Sequence, residues 1–315
     1  MTSVGWLDEP SEEALQSALA IGAPELAGLP LRMHSRPRGA NPLYWSSSAV
    51  VAESFVVKFA WSQVRAVRLW REGVILARLK TMDPLLPIPD LVALNMRPAL
   101  VVTRLVTGEP LGDLQAGPSP CDAQRTARQL GTFLVGLHGM NAADVVGGLP
   151  VVEPTPQADS QRLRLGFPRL VDGERSARVL RWCDWVDGVL RDEAARPEVF
   201  VHGDLHGHNQ VWDSAQGSLA AVVDFDESGA FDAHFDFRYL PGIGRNLDVL
   251  LATMHAYAEL SRVRLDLARV MAWHVLTVLG DALWRTEANI GLPGGGDATS
   301  YVDDLDSRLG TLELG

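Results

Sequence analysis

Residues 201–212 read VHGDLHGHNQVW, which places three histidines, an aspartate and an asparagine within twelve positions. Two chemistries compete for this stretch. His202, His206 and His208 could cage a metal that activates water, since residues 206 and 208 of an extended strand face the same way. Alternatively, Asp204 acts on a substrate with Asn209 beside it, and the imidazoles are framework. Turn residues and polar groups cluster here between apolar runs, so the stretch reads as a loop between two strands.

Moving outward, the next apolar run is LAAVVDFD, where Asp224 follows four apolar residues and precedes Phe225. A carboxylate in that setting is costly unless it is compensated. Far upstream, SFVVKFA sets Lys58 between apolar neighbours, and a cation so placed needs an acidic partner. Glu72 lies 14 residues on, within the helical pattern VRAVRLWREGVILARLK. Taken alone, a strand lysine or a helical glutamate is ordinarily a solvated surface group. In this order, however, Lys58, Glu72, Asp204, Asn209 and Asp224 form a set suited to phosphoryl transfer. A lysine steadies the phosphates of a nucleotide, a glutamate fixes the lysine, and an aspartate takes a hydroxyl proton. An asparagine and a second aspartate hold magnesium, which prefers oxygen ligands. A zinc cage leaves Lys58 and Glu72 idle, and we set it aside.

The rest of the chain supports an α+β fold. SEEALQSALA is a capped short helix, SSSAVVAE and SFVVKFA follow the turn-prone RPRGANP, and LVALN and ALVVTRLV form a further strand pair. Beyond Gly108-Glu109-Pro110 the pattern is mainly helical, in AQRTARQLGTFLVGLHGM, ARVLRWCDWVDGVL and DLARVMAWHVLTVLGDALW. We therefore expect a β-rich nucleotide-binding lobe over 1–107 and a helical lobe over 108–315 that carries the catalytic loop and the acceptor pocket.

Composition narrows the partners. The 315 residues are 47% hydrophobic and 21% charged, with a net charge of -11. That balance suits a folded chain and argues against a nucleic-acid partner, which needs a basic face. Cys121 and Cys183, the only cysteines, cannot build a disulfide framework or a Cys-type zinc site, and a reducing compartment is the default. MTSVGWLDEPSEEALQ lacks the basic and apolar regions of a signal peptide, and no run of 18 apolar residues occurs. A cytoplasmic protein without a membrane partner is expected. Trp182, Trp185, Trp273 and Trp284 read as core, and Asp303, Asp304 and Asp306 as a solvated tail.

HGDLHGHN followed by VVDFD resembles the signatures of the aminoglycoside phosphotransferase and choline kinase-like family, which has the bilobal protein-kinase-like fold. The likeness runs from about residue 34 to 285. It implies that Asp204 is catalytic, that Asn209 and Asp224 bind the metal, and that Lys58 and Glu72 serve the nucleotide. His206 fits the family's HGDLH and is placed with Asp204. VVTRLVTGEPL looks like the family's hinge, which implies backbone contacts to the nucleotide at Arg104 and Val106. RPRGANPLYW looks like the phosphate-covering loop, with one glycine, Gly39, where protein kinases have several. DFD stands where protein kinases have DFG, which points to the small-molecule branch. FDAHFD places Asp232 and Asp236 where the family braces its catalytic loop, and LVGLHG places His138 at a structural helix end.

The resemblance implies an ATP- and magnesium-dependent kinase, with GTP as the alternative nucleotide, acting on a small-molecule hydroxyl. An aminoglycoside-like antibiotic or an amino-sugar or sugar-like metabolite is the first expectation. A macrolide, amino alcohol or homoserine-like acceptor is the alternative, and a non-catalytic pseudokinase is the reading from another class. One fold hosts many acceptors.

Overall fold

The computed structural model describes residues 4–7, 11–34, 46–113, 120–191, 198–243, 247–292 and 295–310. The chain groups into two compact units. One takes in Met1–Leu111, Ala142–Val152 and Asn209–Glu227, and the other Gly112–Asn141, Glu153–His208 and Ser228–Gly315. A single cut at 107/108 does not describe this grouping. Strand pairing draws residues 209–227 into the first unit, as shown below.

The first unit is built on five antiparallel strands, β1 (Leu31–Met33), β2 (Ser46–Val51), β3 (Phe55–Ala60), β4 (Leu91–Met96) and β5 (Ala99–Arg104), in the order β1-β2-β3-β5-β4. The alternation of β3 explains its role. Val57 and Phe59 turn into a cluster with Leu15, Ala18 and Leu19 of α1 (Glu12–Gly22). Ala60 joins the opposite cluster with Ala66 and Leu69 of α2 (Gln63–Met82). Successive side chains of a strand point to opposite faces, so Lys58, between Val57 and Phe59, is aimed at α2. The Ser62 hydroxyl caps that helix by accepting from Arg65 N. Gly73 lets α2 lie close to the sheet, because a Cβ there would stand 2.6 Å from a Leu94 methyl.

The same unit holds a small sheet of β6 (Glu109–Pro110), β8 (Gln210–Asp213) and β9 (Ser218–Val222) in the order β6-β8-β9. Val222 N donates to Pro87 O at 2.8 Å. These bonds are why 209–227 belong with the N-terminal sheet.

The second unit is helical around one antiparallel pair, β7 (Glu198–Val201) with β10 (Gly229–Asp232). α3 (Pro120–His138) packs on α7 (Asp248–Ser261), and α8 (Leu267–Glu287) packs on α6 (Gly173–Leu190) and α9 (Ala298–Gly310). Trp182 and Cys183 are buried, whereas Trp284 is 44% exposed and so is not core. The acidic tail is no simple solvated end. α9 buries Val302, Leu305 and Leu309, and its Asp303 receives two bonds from the Arg175 guanidinium of α6, at 2.9 and 2.7 Å. Among the described residues, no helix is long and apolar enough to cross a membrane.

Candidate active site

The first unit brings Lys58, Glu72 and Asp224 together. Lys58 Nζ donates to Glu72 Oε1 at 2.7 Å and to Asp224 Oδ1 at 2.9 Å. Burial lowers the lysine's pKa, but the charges of Asp224, Glu72 and Asp226 outweigh it and hold the ammonium above its ordinary range. Glu72, 3% exposed, also accepts from Phe225 N at 3.3 Å. Burial raises its carboxyl, with Asp224 adding to the shift and Lys58 opposing it.

Asn209 and Asp224 meet because β8 and β9 pair. Gln210 lies opposite Val222, and just outside the ladder Val223 N donates to Asn209 O at 2.9 Å. Asp224 follows at φ +70°, a left-handed backbone that a non-glycine residue adopts only where its surroundings enforce it. Its carboxylate is 40% exposed. A buried amide and a half-exposed carboxylate at adjacent strand ends form an oxygen donor set that fits magnesium, which completes its shell with waters and phosphate oxygens. Among the described residues, no group of three or more His, Cys, Asp or Glu is placed to hold a metal, so the three imidazoles make no zinc cage.

The second unit carries the loop from His202 to His208. Gly203 sits at φ +85°, which costs glycine nothing. His202 N and Gly203 N each donate to Asp236 at 2.8 Å, and the Arg238 guanidinium donates to Gly203 O at 2.6 Å while stacking 3.6 Å over the Phe235 ring. Asp236 is fully buried, and His138 bridges it to the Tyr257 hydroxyl with 3.1 Å contacts on both sides. Burial pushes the Asp236 carboxyl up, but His138, His202 and the Gly203 N–H outweigh it and hold it low.

On this frame Asp204 has a partner at each oxygen. Tyr239 Oη donates to Oδ1 at 2.8 Å, His206 Nε2 lies 3.4 Å from Oδ2, and Arg238 Nη2 is 3.8 Å from Oδ1. Burial raises the Asp204 carboxyl, yet His206, Arg238 and Tyr239 prevail and hold it well below the usual carboxylate range. The Tyr239 phenol is raised, chiefly by burial, and stays a donor. The histidines therefore divide their tasks. His202 Nδ1 accepts from Asp204 N at 3.1 Å within the loop, His206 addresses the carboxylate, and His208 N donates to His206 Nδ1 at 3.2 Å.

Asp232 departs from expectation. It accepts from Arg269 Nε, Trp273 Nε1 and His234, not from the loop. It ties the turn after β10 to α8, and Asp236 alone of the two receives the loop amides. At the expected hinge, Arg104 N is committed to Asp90 O and Leu105 N to Ser54 O, both at 2.9 Å, and Val106 is half-buried. A nucleotide contact at Arg104 would therefore use its carbonyl. Gly39 lies outside the described residues. Sequence reasoning missed Arg238 and Tyr239, although both directly follow FDAHFDF. It also missed the pairing of Arg65 and Arg68 with Asp226 and Glu227.

This is the architecture of a kinase-like phosphotransferase. The chain matches the phosphotransferase enzyme family over residues 37–273 and belongs to that family. It is 31% identical over 199 residues to the viomycin phosphotransferase of Streptomyces vinaceus, a match covering 58% of this chain and 65% of that relative's length. Among solved structures it resembles the GDP complex of wild-type aminoglycoside 2'-phosphotransferase-IIIa, with a TM-score of 0.70 and 17% identity, covering 96% of this chain and 99% of the other. It also resembles macrolide 2'-phosphotransferase type I, with a TM-score of 0.59 and 22% identity over 96% and 98%. At such identities the likeness establishes the fold, a sheet-based lobe with a helical one.

Proposed function

We propose that the protein transfers the γ-phosphate of ATP, with magnesium, to a hydroxyl of a cationic small-molecule antibiotic. The observation that carries this reading is the Asp204 carboxylate, kept ionised with a partner at each oxygen. Its hydrogen bonds orient it toward an incoming hydroxyl. Because its pKa is low, its part is to align the hydroxyl and to accept the proton late, as a loose transition state permits. The acceptor oxygen bonds to the γ-phosphorus, the bridging bond to the β-phosphate breaks, and ADP departs. Lys58, fixed by Glu72, steadies the phosphates. Arg104 O and Val106 N would take the edge of the base. Asn209 and Asp224 would hold magnesium, which neutralises charge on the phosphate oxygens when bound. The net charge of -11 favours a cationic acceptor, and the kinship with a viomycin phosphotransferase favours an antibiotic over a primary metabolite.

The test is phosphoryl transfer from labelled ATP or GTP to kanamycin, gentamicin, streptomycin, viomycin, a macrolide, glucosamine and choline, with phosphomonoesters detected by 31P NMR. GTP is included because one structural relative was solved with GDP. A phosphorylated antibiotic is expected. Nucleotide binding with no ester formed on any acceptor would instead describe a pseudokinase.

A further inference from the structure

The face of α2 that carries Glu72 also carries Arg65 and Arg68, at helical spacing. All three reach the residues just past Asp224. Glu72 accepts from Phe225 N at 3.3 Å, Arg65 Nη1 donates to Asp226 Oδ2 at 2.7 Å, and Arg68 pairs with Glu227. Phe225, Asp226 and Glu227 are thus each tied to one helix. The Arg65 and Asp226 side chains are only 19% and 16% exposed, so removing one would leave a largely desolvated charge on the other.

Asp224 needs such support, because its backbone is left-handed and it has a Cβ. The Asp226 carboxylate, two residues on, faces the charges of Asp224, Glu72 and Glu227. Repulsion among them would drive the segment off α2 if only Lys58 opposed it. The residue after Phe225 also differs from the protein-kinase pattern noted above. A glycine there would leave the backbone free and offer no side chain to tether, whereas Asp226 restricts the backbone and supplies the tether.

We infer that Arg65 and Arg68 are positioning residues for Asp224: by fixing Asp226 and Glu227 to α2, they hold the Asp224 carboxylate ready for magnesium before nucleotide arrives. The inference rests on the proposed nucleotide and metal roles of Lys58 and Asp224, and the experiment separates the two.

Calorimetric binding of ATP, with magnesium and in EDTA, is compared for the wild type, Arg65→Ala, the exchanged pair Arg65→Asp/Asp226→Arg, and Lys58→Ala. Arg65→Ala weakens binding in magnesium roughly tenfold and leaves binding in EDTA within about twofold. The exchanged pair recovers most of the loss, which a general loss of packing would not. Arg65→Lys keeps the charge and stands in if Arg65→Ala fails to fold, with a smaller loss in magnesium alone expected. Equal losses with and without magnesium, no loss in either, or no recovery by the exchange would overturn the inference. If Lys58→Ala binds ATP as the wild type does, the nucleotide reading itself fails, which is a separate result.

Discussion

Lys58 and Asp204 are both held in their charged forms, by opposite means. Lys58 sits among apolar strand residues and is matched by two carboxylates within 2.9 Å, those of Glu72 and Asp224. Asp204 leans on a phenol at 2.8 Å and an imidazole at 3.4 Å, with the Arg238 guanidinium at 3.8 Å. The first arrangement neutralises a charge that burial would otherwise make costly. The second holds a negative charge with hydrogen-bond donors that also direct it, as would suit the proton acceptor proposed for Asp204. A site that clamps phosphates needs counter-charge, and a site that accepts a proton needs oriented dipoles.

Four substitutions separate these two regimes. Asp224→Asn should reduce phosphotransfer by roughly a thousandfold and erase the dependence of ATP binding on magnesium. Without metal, an aspartate near 4 Å from a phosphate charge repels it by about 4 kcal/mol at a surface-like dielectric, so the variant should bind ATP better than the wild type in EDTA. Unchanged magnesium dependence by calorimetry would contradict the assignment. Lys58→Met should weaken ATP binding by about a hundredfold, because two carboxylates then face the phosphates uncompensated, and Glu72→Gln should cost less because Asp224 still holds the lysine. An equal effect of the two variants would show that the clamp acts as one unit.

In the other regime, Tyr239→Phe should lower kcat about tenfold, the worth of one hydrogen bond to a charged group, with the KM for ATP unchanged. Losing that donor also raises the Asp204 pKa, so the acid limb of kcat should move toward neutral pH. An unmoved limb would reduce Tyr239 to packing.

The smallest effect concerns stability beneath Asp204. His274 Nδ1 lies 2.7 Å from Arg238 O, and Arg308 Nη1 lies 3.2 Å from its Nε2. A carbonyl only accepts and a guanidinium only donates, so the imidazole is neutral with its proton on Nδ1. Burial, with Arg308 adding to it, lowers its pKa from 6.5 to about 3. The unfolded chain takes this proton first, so the contribution is full above about pH 6.5 and declines as pH falls toward 3. Between pH 6.5 and 5 the loss should be about 2 kcal/mol. Urea unfolding of His274→Gln should show a shallower decline over that window, and parallel curves would place the acid sensitivity elsewhere.

The contrast between the two regimes also explains what the sequence disclosed. Lys58 and Asp224 announce themselves as charges inside apolar runs, and HGDLHGHN compresses its polar groups between strands, so order and spacing pointed to a phosphotransferase site. The need of Lys58 for an acidic partner was legible too. Tyr239 and Arg238 were not, because a tyrosine and an arginine after a buried aspartate have many possible uses, and only the turn at 233–237 brings them to Asp204. Asp232 looked equivalent to Asp236 by spacing, yet it reaches Arg269 and Trp273 because β10 ends before the turn. The role of α9 was hidden because its apolar residues are sparse among acids whose partners lie on α6.

In the proposed reaction Asp204 handles the acceptor's proton and does not bind nucleotide. Asp204→Asn keeps the shape of the side chain and removes its charge. Assayed on an antibiotic that the wild type phosphorylates, it should lose transfer by at least about a thousandfold, while calorimetry finds magnesium–ATP binding within about twofold of wild type. Turnover near the wild-type rate, or loss of nucleotide binding together with transfer, would exclude this role for Asp204.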